Sequence, residues 1–116
     1  MKKYLAVYFG TAAAMATFQK LEEKVRKDRE QTGIAAWKKW VETNKKAVTE
    51  LGSPLGKTKR IDSKGISDMR NEIAAWTVVE AESHDAAAKL FINHPHFSIF
   101  PGDHIEIMEC MAIPGM

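Results

Sequence analysis

The chain has 116 residues, 45% of them apolar and 28% charged, and a formal net charge of +2. That length makes a single domain, residues 1–116, able to bury a core without disulfide or metal staples. The near-neutral charge leaves no electrostatic footprint for nucleic acid. No apolar run reaches the roughly 20 residues of a membrane span. The single Cys110 allows no internal disulfide and suits a reducing, cytoplasmic compartment.

The opening "MKKYLAVYFGTAAAMATF" has the lysines and alanines of a signal peptide, but Tyr4, Tyr8 and Gly10 break its apolar run. It reads better as a strand over Lys3–Phe9. Leu5, Val7 and Phe9 face one way there, and Tyr4, Ala6 and Tyr8 the other. Thr11 is placed to cap a helix over Ala12–Arg29, striped by Met15, Phe18, Leu21 and Val25. Gln31-Thr32-Gly33 punctuates it. A second helix is expected over Ile34–Leu51, with Ile34, Trp37, Val41, Val48 and Leu51 on one face and Trp40 beside it. Gly52 and Pro54 stop that helix.

Pro54–Asp62 is basic and poor in large apolar groups, which suits a short edge strand or loop. Lys57, Lys59 and Arg60 are then a solvated cluster, too small for a nucleic-acid surface. Gly65–Asn71 is expected to be a turn. Glu72–Ala81, "EIAAWTVVEA", is rich in strand formers. Ser83 caps a helix over "DAAAKLFIN", which Asn93 and Pro95 end. His104–Met111 alternates into a last strand.

The order is strand, helices, strand, strand, helix, strand. This is the α+β, ferredoxin-like βαββαβ sandwich with an extra N-terminal helix. Helices cover one face of such a sheet, yet both faces carry apolar groups. Leu5, Val7 and Phe9 oppose Tyr4, Ala6 and Tyr8; Ala74, Trp76 and Val78 oppose Ile73, Ala75, Thr77 and Val79; and Ile105 and Ile107 oppose Met108 and Cys110. A second copy packed sheet to sheet is the economical way to cover the face that the helices leave open. The expected assembly is a homodimer, a dimeric α+β barrel.

Three segments carry a resemblance to a known family: "ELGSPLGKTKRID" after a Trp-bearing helix, then "AAWTVVEAESHDAAAKLFINHPHF", then "GDHIEIMECM". They resemble the YCII-related, DGPF-domain family over about Trp37–Met111 and the first strand. The resemblance implies a dimeric α+β barrel. For some members it also implies acid–base chemistry by a His and an Asp in the N-terminal half. This chain has no His before His84, and "ISDMRNE" stands where the D-G-P-F run would lie.

The stretch "NHPHFSIFPGDHIEIMEC", residues 93–110, holds three of the four histidines. His94 suits a helix end, where a cationic ring meets the dipole. His96 is the candidate general base or polar anchor at a pocket rim, with Glu106 as the candidate acid. Asp103 and His104 are neighbours whose side chains should diverge if both lie in the strand. Zinc-type spacing is missing, so neither a metal nor a cofactor is expected. Tyr8, Trp37, Trp40 and His94 are the candidate ligand-binding residues, lining a cleft between helix and sheet suited to a flat apolar molecule. Phe97, Ile99 and Phe100 are too apolar for a free loop and should cover the cleft mouth or the dimer contact. The expected function is small-molecule binding, the alternative a small enzyme using His and carboxylate on an organic compound.

Overall fold

The computed structural model describes residues 1–116. Its elements in chain order are β1 (Lys2–Phe9), α1 (Ala12–Gln19), α2 (Glu23–Thr43), β2 (Val48–Glu50), β3 (Thr58–Asp62), β4 (Gly65–Met69), β5 (Ile73–Ala81), α3 (His84–Lys89), α4 (Pro95–Ser98) and β6 (His104–Glu109). The main sheet has the order β2-β5-β1-β6, and β3 and β4 form a separate hairpin. Every neighbouring pair in both sheets is antiparallel. With the hairpin set aside, this is the expected ferredoxin-like order, and α1 is the extra helix; the second strand of the sheet is β2 and not the expected Pro54–Asp62, whose last five residues form β3 of the hairpin.

The register divides the residues of β1 as the alternation predicts. Tyr4, Ala6 and Tyr8 join Val79, Ala81, Ala87 and Phe91 in the core, against Trp37, Trp40, Ile105 and Ile107. Small side chains at Ala6, Ala81 and Ala87 let α3 settle against β5 and β6. On the opposite face Leu5 stands across from Val78 and from Met108, and Val7 across from Trp76 and Glu106. The molecule is only 18 Å through its thinnest axis, room for one sheet and one helix layer.

Two expected helices are redrawn. The span Ala12–Arg29 breaks after Gln19, with Thr11 capping α1 by accepting from the Ala14 N–H at 3.0 Å. Chain continuity then runs straight through Gly33, so Gln31-Thr32-Gly33 lies inside α2. Gly33 is there for packing: a Cβ would overlap the Phe100 ring. The second helix stops at Thr43 rather than Leu51. β-branched Val48 and Thr49 then start β2, with Val48 opposite Val79.

The expected turn at Gly65–Asn71 is instead β4, paired with β3 through Lys59–Asp68, Arg60–Ser67 and Ile61–Ile66. At the other end, Ser83 caps α3 by accepting from the Ala86 N–H at 3.1 Å. Asn93 turns the chain through φ +59° before Pro95 opens α4.

Candidate ligand cleft

A cleft of about 730 Å³ lies between α2 and the segment that edges β5. Ile34, Trp37 and Val41 form its helix wall, and Leu51 to Pro54 with Ala74 to Thr77 the sheet wall. Phe100 and His96 close one end. The walls are mostly apolar, with Lys38 and Glu42 as the charged side chains among them. The sheet wall keeps its path because Leu55 donates to the Ala74 carbonyl at 2.8 Å and Thr77 Oγ1 donates to the Leu51 carbonyl at 3.0 Å. That leaves the Tyr8 hydroxyl as the donor to Thr77 Oγ1, at 3.0 Å. Burial pushes the Tyr8 pKa up to about 12, so the relay runs through a neutral phenol.

His96 is placed by three contacts. Its Nε2–H donates to the Phe9 carbonyl at 2.7 Å, and its backbone N–H to His94 Nδ1 at 3.0 Å. Its carbonyl accepts from the Gly102 N–H at 2.9 Å, and a Cβ at Gly102 would overlap the ring. Burial lowers the His96 pKa, with the Phe9 and His104 carbonyls partly opposing the shift. The ring is therefore neutral, with Nε2 as its donor and Nδ1 left as its acceptor. It is only 6% exposed, so it belongs to the cleft's inner wall and not to its rim.

His94 is 0% exposed and is not the cationic helix terminus of the sequence reading. It caps α4 as a neutral ring, its Nδ1 accepting from His96. Trp37, Trp40, Tyr8 and Phe91 surround it, with ring centres 4.6, 4.7, 5.2 and 5.7 Å away. Its Nε2 has no hydrogen-bond partner. Burial among these rings, then the nearby His96, lowers its pKa to about 4.

Of the residues singled out from sequence, Trp37 and His96 line the cleft. Tyr8 and His94 lie behind it in the core, and Trp40 packs there too, its indole N–H donating to the Leu90 carbonyl at 2.8 Å. Glu106 does not meet His96. It accepts from His104 Nε2 at 2.8 Å, while Asp103 accepts from His104 Nδ1 at 2.6 Å. Asp103 precedes β6 and escapes its alternation, so these neighbours pair where divergence was expected. The two carboxylates raise the His104 pKa. With both ring nitrogens donating, His104 is a clamped imidazolium with no free base.

Leu51, Pro54 and Trp76 complete the walls and were not singled out for the site. Phe100 lines the cleft and packs on Trp37 at 5.9 Å between ring centres, as the apolar connector suggested.

No family matches the sequence, and no curated protein matches it. Among solved structures, the chain is similar to 5-chloro-2-hydroxyhydroquinone dehydrochlorinase (TftG) from Burkholderia phenoliruptrix AC1100, in complex with 2,5-dihydroxybenzoquinone. The two superpose with a TM-score of 0.57 over 94% of this chain and 93% of that one, at 16% identity. The shared fold is the α+β, ferredoxin-like sandwich of one antiparallel sheet and a helix layer. At this identity the likeness concerns the fold alone, and the chemistry rests on the cleft. No helix is long and apolar enough to cross a membrane.

Proposed function

We propose that this protein binds a planar, largely apolar organic molecule bearing a hydroxyl donor, in the cleft between α2 and the β5 edge. The observation that carries the reading is the cleft itself: about 730 Å³, walled by Trp37, Trp76, Phe100, Val41 and Leu51. Binding sites for small molecules have this size and this mostly apolar wall, with a few polar groups fixing orientation. Here the polar group is His96, whose donor is committed to Phe9 and whose Nδ1 is left to accept. The dihydroxybenzoquinone in the TftG structure shares with the proposed ligand a small planar ring, though it is far more polar. The protein is of the YCII-related type, cytoplasmic, and a homodimer through the apolar sheet face of Leu5, Val7, Val78 and Met108.

The alternative, acid–base catalysis by His96 with Glu106, has weaker support, because Glu106 is committed to His104. Glu42 is the carboxylate that borders the cleft.

A thermal-shift titration with 2,5-dihydroxybenzoquinone and simple phenols tests the reading. A ligand bound at a hundred times its Kd adds about 2.7 kcal/mol to the folded state and raises the melting temperature. Val41→Trp places an indole in the cleft. The variant should fold and melt near the wild type, and the ligand-induced shift should vanish. An unchanged shift in the variant, or no shift with any aromatic in the wild type, contradicts the assignment.

A further inference from the structure

The two additions to the βαββαβ order, α1 and the β3–β4 hairpin, meet at a second cavity of about 710 Å³. It lies at the end of the sheet, where Gly10 follows β1 and Ile73 opens β5. It shares Ala74 with the ligand cleft, and Leu5, Val7, Val78 and Met108 of the sheet contact take no part in it. Asn71 braces its wall: Nδ2 donates to Thr58 Oγ1 at 3.3 Å, and Oδ1 accepts from the Ile73 N–H at 2.9 Å. The Gly10 N–H donates to the Glu72 carbonyl at 2.8 Å and ties the approach to β5 to the end of β1.

Four apolar side chains from four segments converge there: Met15 from α1, Leu55 from the segment that edges β5, Met69 from β4 and Ile73 from β5. Each is 36–47% exposed, so the cavity holds apolar surface that no part of the chain covers. Single exposed apolar groups are ordinary, but four that line one concavity make a ligand wall.

Charge says what the ligand carries. The lining holds three basic and two acidic side chains, a net +1. Lys59 is paired with Asp68 across the hairpin. Lys57 and Arg70 are paired with no carboxylate. The hairpin sets Thr58 opposite Met69 and Lys59 opposite Asp68, and that register carried one residue further sets Lys57 across from Arg70. Like charges placed opposite one another repel, and an anion between them turns the repulsion into two attractions. Glu72, the remaining carboxylate, limits the excess to one charge, which favours a monoanion over a dianion.

We infer that this cavity binds an apolar monocarboxylic acid. The carboxylate lies between Lys57 and Arg70, whose guanidinium fork matches its two oxygens. The apolar body lies on Met15, Leu55, Met69 and Ile73. The site is separate from the cleft and stands whether or not the cleft takes an aromatic.

Methionine-methyl NMR with hexanoate tests it, because Met15 and Met69 line the cavity and Met108 and Met111 do not. Hexanoate should shift the Met15 and Met69 signals saturably and leave those of Met108 and Met111 still. Hexanamide, which lacks the charge, and acetate, which lacks the body, should each bind at least about tenfold more weakly. Lys57→Gln/Arg70→Gln changes two exposed side chains. It should melt with the wild type and lose about tenfold in affinity for hexanoate. Met15 and Met69 signals that stay still overturn the site. Hexanamide or acetate bound as tightly as hexanoate, or a double variant that binds as tightly as the wild type, overturns the ligand assignment.

Discussion

Gly52→Ala should lower the melting temperature by about 10–20 °C, while Gly56→Ala, four residues along, should leave it nearly unchanged. Gly52 sits at φ +74°, where a Cβ is strained by about 1–3 kcal/mol. The added carbon would also overlap the Trp76 carbonyl oxygen, a backbone group that cannot swing away. Together these give a loss of about 3–5 kcal/mol. Gly56 meets nothing within 4 Å and has no positive φ, so alanine there should be neutral or slightly stabilising. Because Gly52 stands in the cleft wall, its alanine variant should also lose ligand binding in whatever fraction stays folded. Equal melting temperatures for the two variants contradict the placement of this wall.

Acid should unfold the protein through His94. Its folded pKa of about 4 lies below the unfolded value of 6.5, so between those values the unfolded chain binds more protons. Stability is therefore intact above about pH 6.5 and falls as pH drops toward 4, by about 3 kcal/mol in all. His96, also lowered, adds loss in the same direction. His104 is raised and acts oppositely, but it is exposed and screened. The groups facing the His94 ring are Tyr8, Trp37, Trp40, Phe91 and His96, with no carboxylate among these ring contacts to hold its proton. His94→Asn keeps an acceptor for the His96 N–H and removes the titration. Urea unfolding at successive pH values should show a steep fall for wild type and a much flatter profile for the variant. Parallel profiles would mean that His94 is not the group that charges.

β1, β5 and β6 were legible because their patterns are binary, whereas β2 lay inside an expected helix and β4 inside an expected turn. Tyr4, Ala6 and Tyr8 against Leu5, Val7 and Phe9 fix both faces of β1, and the same alternation exposes the uncovered sheet face. The helices were less so. The residues at the α1–α2 break, Lys20, Leu21 and Glu22, include no glycine or proline. The glycine that looked like a break, Gly33, serves a contact with Phe100, 67 positions away. Local punctuation cannot reveal a long-range contact. The hairpin was missed in part because β4, "GISDM", is exposed throughout and so carries no core-facing stripe.

At the cleft, the sequence pointed to the right aromatics without saying which stand in front. Trp37 and Trp40 share a helix face three residues apart, yet only Trp37 borders the cleft, while Trp40 is tied to the Leu90 carbonyl. The histidines show the same limit. Spacing brought out His94, His96 and His104 together. It did not show that the first is caged by aromatic rings, the second bonded to Phe9 and the third clamped by Asp103 and Glu106.

The cleft's role is tested most directly by following the three tryptophan indole N–H resonances while 2,5-dihydroxybenzoquinone or a phenol is added. Binding in the cleft predicts saturable shifts of the Trp37 and Trp76 signals, with the Trp40 signal, held by Leu90, nearly still. Shifts confined to Trp40, or a titration in which none of the three moves while the ligand binds elsewhere, would contradict it.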